Sequence, residues 1–249
     1  MDFPLDGPLR GFPSDAPSLS SIFKLLGENW LGKHIIDAYI HLVGQRLNQL
    51  YPHLILFLNC YFHLELANAF ERKQMSPMLK KMCNDILTNP PLIVAFVFNK
   101  EEVHWAATST VLDDHIVLQG DSAGFSCHPR LRDMMQWLLA DVAPEDGPWL
   151  EATLPIEQQG PGSGSCGIAS TSSIIKHAVE FATCHGLIQP SDAPAIPVWT
   201  DGNSQLVRSH WIQSILCASV QAFKAVSAVI PTETDIDSDL ETEYLVQNP

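Results

Sequence analysis

A cysteine that follows a glycine-rich loop and opens a helix is placed to act as a nucleophile, and Cys166 is such a residue. Residues 157–165 read EQQGPGSGS, and Ile168, Ile174, Ile175, Ala178, Val179 and Phe181 follow at helical spacing. Unpaired N–H groups and a partial positive charge at a helix start favour a thiolate. Gly167 leaves room there for a close approach by another backbone or a substrate. A thiol also needs a base, and histidine titrates in the right range. His104 opens a β-rich run and is followed by Trp105. Asp121 lies seventeen residues further on, at the end of the next β-rich run. A hairpin of these two strands brings His104 and Asp121 to one edge of a sheet, where a carboxylate fixes the imidazole tautomer. In the loop, the Gln159 side-chain amide and the Cys166 N–H are candidates for holding an oxyanion. Each residue also has an ordinary reading: a small helix-start cysteine, a half-exposed strand histidine, a turn-initiating Asp, a solvated Gln.

The elements that must position these residues are legible from periodicity. Residues 33–48 carry a wide apolar face at helical spacing, and 54–61 form a compact apolar run read as a buried strand. Residues 64–88 read as one helix, stopped by Asn89-Pro90-Pro91. Strands are expected at 92–98, 104–111 and 116–119, the last two joined by a turn at 112–115. Pro129 opens a helix, 149–155 reads as a strand, and helices follow at 166–183 and around 203–223. Helices, then clustered strands, then helices indicate an α+β fold. Residues 1–19, with Pro4, Pro8, Pro13 and Pro17, suggest an irregular arm, and the acid-rich stretch 226–249 suggests a disordered tail.

Composition removes several function classes. Hydrophobic residues make up 46% of the 249, as expected of a chain with a proper core. The net charge is −14 and no Lys/Arg block exists, which argues against a nucleic-acid surface and for a basic partner surface. The longest apolar run, Leu54–Leu58, falls far short of the roughly 20 residues that span a bilayer. No secretory pattern is visible in residues 1–12, and the six cysteines contain no C-x-x-C pair. Free thiols and an intracellular location, nucleus or cytoplasm, are the expectation. Cys60 and His63 have the spacing of half a zinc site without a second half, so they read as core packing.

Taken jointly, His104-Trp105, Asp121-Ser122 and Gln158-Gln159 ahead of Cys166-Gly167 resemble the SUMO/sentrin-specific (ubiquitin-like protein-specific) cysteine protease family. Residues 28–36, ENWLGKHII, resemble that family's entry into its first large helix. The resemblance covers roughly residues 20–225 and implies a papain-like α+β fold. In that fold a small mixed sheet is flanked by helices and the nucleophile opens a central helix. It implies Cys166 as nucleophile, His104 as base, Asp121 as its orienter and Gln159 in the oxyanion hole. Trp30 and Trp105 match two tryptophans that wall a slot over a Gly-Gly tail, which admits glycine and rejects bulk. The implied reaction is cleavage after the terminal Gly-Gly of a ubiquitin-like protein, SUMO or NEDD8-like. No metal or organic cofactor, nucleic acid or membrane is implied.

The sequence departs from the family in three places. The loop before Cys166 is one residue longer, which leaves Gln158 as an alternative to Gln159. Ser165 replaces an Asp before the nucleophile and is expected to cap the helix. Lys33 stands where the family often has an acid. Two rival readings remain. Gly120-Asp121-Ser122-Ala123-Gly124 matches the serine-hydrolase elbow G-x-S-x-G, with Ser122 as its nucleophile. The other rival is a silent relative that only binds a ubiquitin-like protein.

Overall fold

The computed structural model describes residues 6–12, 16–27, 29–100, 103–126, 128–142, 148–160 and 163–227. Most of the expected acidic tail, from residue 228 on, therefore lies outside the described residues, as does Glu28. The elements run in order α1 Leu19–Ile22, a 3-10 turn Phe23–Leu26, α2 Lys33–Leu50, β1 Ile55–Leu58, α3 Phe62–Arg72, α4 Pro77–Thr88, β2 Ile93–Lys100 and β3 His104–Val111. They continue with β4 Ile116–Gly120, α5 Leu131–Leu139, β5 Leu150–Thr153, α6 Cys166–Cys184, a 3-10 turn Asp201–Asn203 and α7 Ser204–Ser227.

The five strands form one mixed sheet in the order β1-β2-β3-β4-β5. The outer pairs β1–β2 and β4–β5 are parallel and the inner pairs antiparallel. Alternation along β2 shows why its apolar run is continuous. Ile93, Ala95 and Val97 enter the core beneath α2, α6 and α7, whereas Val94, Phe96 and Phe98 enter the core beneath α3, α4 and α5. A strand covered on both faces has no polar side to show. Tyr39 of α2 stacks on Trp211 of α7, ring centroids 4.1 Å apart, which ties two helices of the first layer together.

The register puts the sheet's working end in one place. Ala107 pairs with Gly120, so the start of β3 and the end of β4 lie side by side. Gln119 pairs with Thr153 in a parallel sense, so β5 ends there too. Helix α6 lies along β3: Ser170 Oγ donates to the Trp105 carbonyl at 2.9 Å, and Ser109 Oγ and His177 Nδ1 are 2.8 Å apart. Both contacts advance together along helix and strand, so the first residue of α6 stands beside the first residue of β3.

The single helix expected over 64–88 is two. Lys73 adopts φ 51° and closes α3 as its C-cap. Ser76 then caps α4, accepting from the Leu79 N–H at 3.3 Å, with Pro77 in the first turn. The strand expected over 54–61 stops at Leu58, because the N–H groups of Cys60 and Tyr61 are taken by the side chains of Asp37 and Asn59. The hairpin turn at 112–115 closes as expected, with His115 at φ 52°. Among the described residues no helix is long and apolar enough to cross a membrane.

Candidate active site

Cys166 is the first residue of α6 and is 1% exposed. The helix start supplies the amide-rich, electropositive end that a thiolate requires. Ser165 occupies the N-cap position but makes no side-chain cap. Its Oγ is instead 3.1 Å from Ser204 Oγ on α7 and accepts from Arg208 at 3.3 Å. The expected capping serine is thus a tether between two helices, since a fully buried hydroxyl takes the partners packed around it.

His104 Nε2 lies 2.9 Å from Asp121 Oδ1, and both side chains are nearly excluded from solvent. The carboxylate oxygen also accepts from the Ala123 N–H at 2.9 Å. This pairing makes Nε2 the donor to the carboxylate and leaves Nδ1 as the ring nitrogen available to a nucleophile. Burial opposes a charged ring, but hydrogen bonds to Asp121 and to Cys166 outweigh it and push His104 up to about 9. Burial likewise opposes the Asp121 carboxylate, and the hydrogen bonds from His104 and the Ala123 amide overcome it and hold its pKa below the usual value. Phe125 meets the His104 ring edge-on at 5.4 Å, and Lys100 stands over Phe125.

The loop after β5 returns to the same spot. The Gln159 N–H donates to the Ser122 carbonyl at 2.9 Å, and Gln159 Oε1 accepts from Ser122 Oγ at 3.3 Å. With its oxygen held by Ser122, the Gln159 amide presents its NH2 end as the donor. Gln158 is exposed and its Nε2 donates to the Asp121 carbonyl at 3.3 Å. One of its two amide hydrogens is thereby engaged by the backbone. Ser122 itself is fully buried, and no helix follows it until Leu131. An elbow nucleophile must stand exposed between a strand and a helix, so the serine-hydrolase geometry is not formed.

Of the two tryptophans, Trp30 is 52% exposed and Trp105 only 5%. Trp105 Nε1 donates to the Leu31 carbonyl at 3.1 Å, which fastens the Trp30–Leu31 segment to β3. Gly167 is buried against this assembly. A Cβ on it would stand 3.0 Å from Ile36 Cδ1 and 3.2 Å from Trp105 Cδ1. It serves the close packing of α6 against α2 and β3: the close approach expected at this glycine is made here by the side chains of Ile36 and Trp105. Cys60 and His63 are also buried, and burial first, then the charge of His128, lowers His63 to about 4. Among the described residues no group of three His, Cys, Asp or Glu could hold a metal ion.

Sequence reasoning passed over Arg208. It is fully buried on α7 and reaches Gly164, Ser165, Ser204 and Asn29. The signal was present: Val207, Trp211 and Ile215 form a buried stripe, and Arg208 is a lone charge set into it.

No family model matches the chain. It is 23% identical over 181 residues to sentrin-specific protease 5 of Homo sapiens and to that of Macaca fascicularis, covering 69% of this chain. The chain spans about a fifth of the length of these curated relatives, 21%. Among solved structures, SUMO protease Ulp1 with its catalytic cysteine oxidized to a sulfinic acid superposes with a TM-score of 0.61 at 14% identity, over 86% of this chain and 89% of that one. A de-sumoylating protease gives 0.60 at 15%, over 90% and 94%. The C-terminal Ulp1 protease domain, in complex with the yeast SUMO ortholog Smt3, gives 0.55 at 16%, over 86% and 88%. In sequence and in fold, this chain is similar to the SUMO-specific cysteine proteases. The Ulp1-like fold is the papain-like arrangement expected from the sequence: a mixed sheet flanked by helices, with a cysteine at the start of the helix packed on β3.

Proposed function

We propose that this chain is a thiol isopeptidase that cleaves after the terminal Gly-Gly of a ubiquitin-like modifier of the SUMO type. The observation that carries the reading is a histidine bonded to a buried carboxylate at the start of β3, with a buried cysteine opening the helix packed along that strand. The Cys166 thiolate attacks the terminal glycine carbonyl. The Gln159 amide and the Cys166 N–H hold the oxyanion. His104, oriented by Asp121, protonates the leaving amine and then draws a proton from water to release the acyl-enzyme. The exposed Trp30 face, next to the Leu31 that Trp105 holds, offers a flat surface for a side-chain-free tail. Lys33, whose Nζ sits 3.5 Å from the Tyr61 ring centre, adds a positive charge near that surface and makes the choice between modifiers an experimental question. We place the protein in the nucleus or cytoplasm, because Cys60, Cys83, Cys166, Cys184 and Cys217 are all unpaired thiols.

The test is a set of tail-reactive probes built on SUMO, NEDD8 and ubiquitin, with adduct formation read on gels and by mass spectrometry. The expected result is an adduct at Cys166 with at least one probe, lost in Cys166→Ala and nearly lost in His104→Ala. Turnover of a modifier precursor surviving in Cys166→Ala would refute the assignment. A tight complex without any turnover in the wild type would leave a binding protein only.

A further inference from the structure

Arg208 carries a charge into a place with no solvent, since it is 0% exposed. A buried guanidinium is tolerated only where protein acceptors replace water. Its Nη2 donates to the Gly164 carbonyl at 3.4 Å and to Ser165 Oγ at 3.3 Å. Its Nη1 reaches the Asn29 carbonyl at 3.5 Å, and Nε donates to Ser204 Oγ at 3.4 Å. Gly164 and Ser165 immediately precede Cys166, and Asn29 immediately precedes Trp30. One side chain on α7 therefore reaches both the turn that aims the thiol and the segment that presents the exposed aromatic face. Trp105 bonds Leu31 and packs on Gly167 from the sheet side, whereas Arg208 hydrogen-bonds the residues that precede Cys166 and Trp30. A planar fork with fixed donor angles suits that task better than a single ammonium or an apolar stem.

We propose that Arg208 is a positioning residue that sets the spacing between the Cys166 turn and the Trp30 segment. The proposal rests on the thiol-protease reading above. Removing the fork frees both segments, so attack geometry and tail binding suffer together. Ser165 ties the thiol turn to Arg208 and Ser204, and its loss leaves the Arg208 bond to Asn29 in place, so it acts on chemistry more than on binding.

The experiment compares wild type, Arg208→Met, Arg208→Lys and Ser165→Ala. It measures kcat and KM on a modifier fused to a reporter, unfolding midpoints, and iodoacetamide alkylation at Cys166 read by peptide mass spectrometry. Arg208→Met is expected to lose roughly 30-fold in kcat/KM, with kcat down and KM up together. Arg208→Lys should recover at least a third of that loss on a logarithmic scale, because it restores the charge and a donor nitrogen, though not the fork. Ser165→Ala should lower kcat about 5-fold at unchanged KM. Alkylation at Cys166 should slow in Arg208→Met below its unfolding midpoint. The proposal is overturned if folded Arg208→Met matches wild type within twofold, or if Arg208→Lys is no better than Arg208→Met. If Arg208→Met does not fold, Arg208→Lys and Ser165→Ala decide, and unchanged kcat in Ser165→Ala counts against it. Absence of modifier turnover in the wild type defeats the protease reading instead. The alkylation rate at Cys166 still judges Arg208 in that case.

Discussion

The imidazole of His104 is held between two partners, and its charge state follows from both. Its pKa rises from 6.5 to about 9 because the bonds to Asp121 and Cys166 exceed the cost of burial. A group whose folded pKa is raised contributes stability that is complete below 6.5 and is lost as pH rises through about 9. Asp121→Asn should flatten that part of the stability curve, as read by denaturant titration across the same window. It should also lower kcat on the order of 100-fold or more, because the tautomer that leaves Nδ1 available to a nucleophile is no longer enforced. An Asp121→Asn enzyme with wild-type kcat would show that the carboxylate has no orienting role. The two loop glutamines separate by their own bonds. Gln159→Ala should reduce kcat by about 100-fold through loss of an oxyanion donor. Gln158→Ala should stay near wild type, since its side chain is exposed and is turned to the Asp121 carbonyl. The reverse outcome in steady-state assays would reassign the oxyanion glutamine. At this scale the residue types were readable from the chain, while the choice between Gln158 and Gln159 was not. That choice depends on which amide Ser122 occupies, and Ser122 is contributed by a different strand end.

Helix α6 is held by small and hydroxylated residues: against β3 by Gly167 under Trp105 and Ser170 on the Trp105 carbonyl, and against the loop after β5 by Ser173 on the Pro155 carbonyl. These contacts fix how far the thiol stands from the strand that carries His104. Gly167→Ala should therefore be felt in both stability and activity. The added methyl meets Ile36 and Trp105 at 3.0 and 3.2 Å, and overpacking of this kind costs about 1–3 kcal/mol. Chemical denaturation should report that loss, with kcat falling as α6 shifts outward. Unchanged stability would mean that Ile36 and Trp105 yield more easily than their packing suggests. Element boundaries were legible where periodicity and capping residues agreed, as in α2 and β3. The break between α3 and α4 was written in Ser76-Pro77 yet masked by the apolar spacing that continues across it. Periodicity reports which side of a segment is buried, and both helices bury the same side against α5 and β2.

The whole molecule carries a net charge of −14. A partner with a basic docking face would be steered toward it, and salt would weaken that steering. For the modifier that the probes select, kcat/KM should fall about threefold or more between roughly 0.05 and 0.5 M salt, with kcat nearly constant. Salt-independent kcat/KM in stopped-flow or steady-state measurements would point to a docking surface governed by apolar contact. By itself the sequence determined the α+β class, the cysteine at a helix start, and the histidine and aspartate on adjacent strands, because these follow from local periodicity and chain order. Only the tertiary structure decided that Ser165 is a tether and not a cap, that Gly167 faces protein, and that a buried arginine links α7 to both sides of the thiol. Those facts depend on side chains far apart in the chain filling one another's space and hydrogen-bonding capacity, which no local pattern encodes.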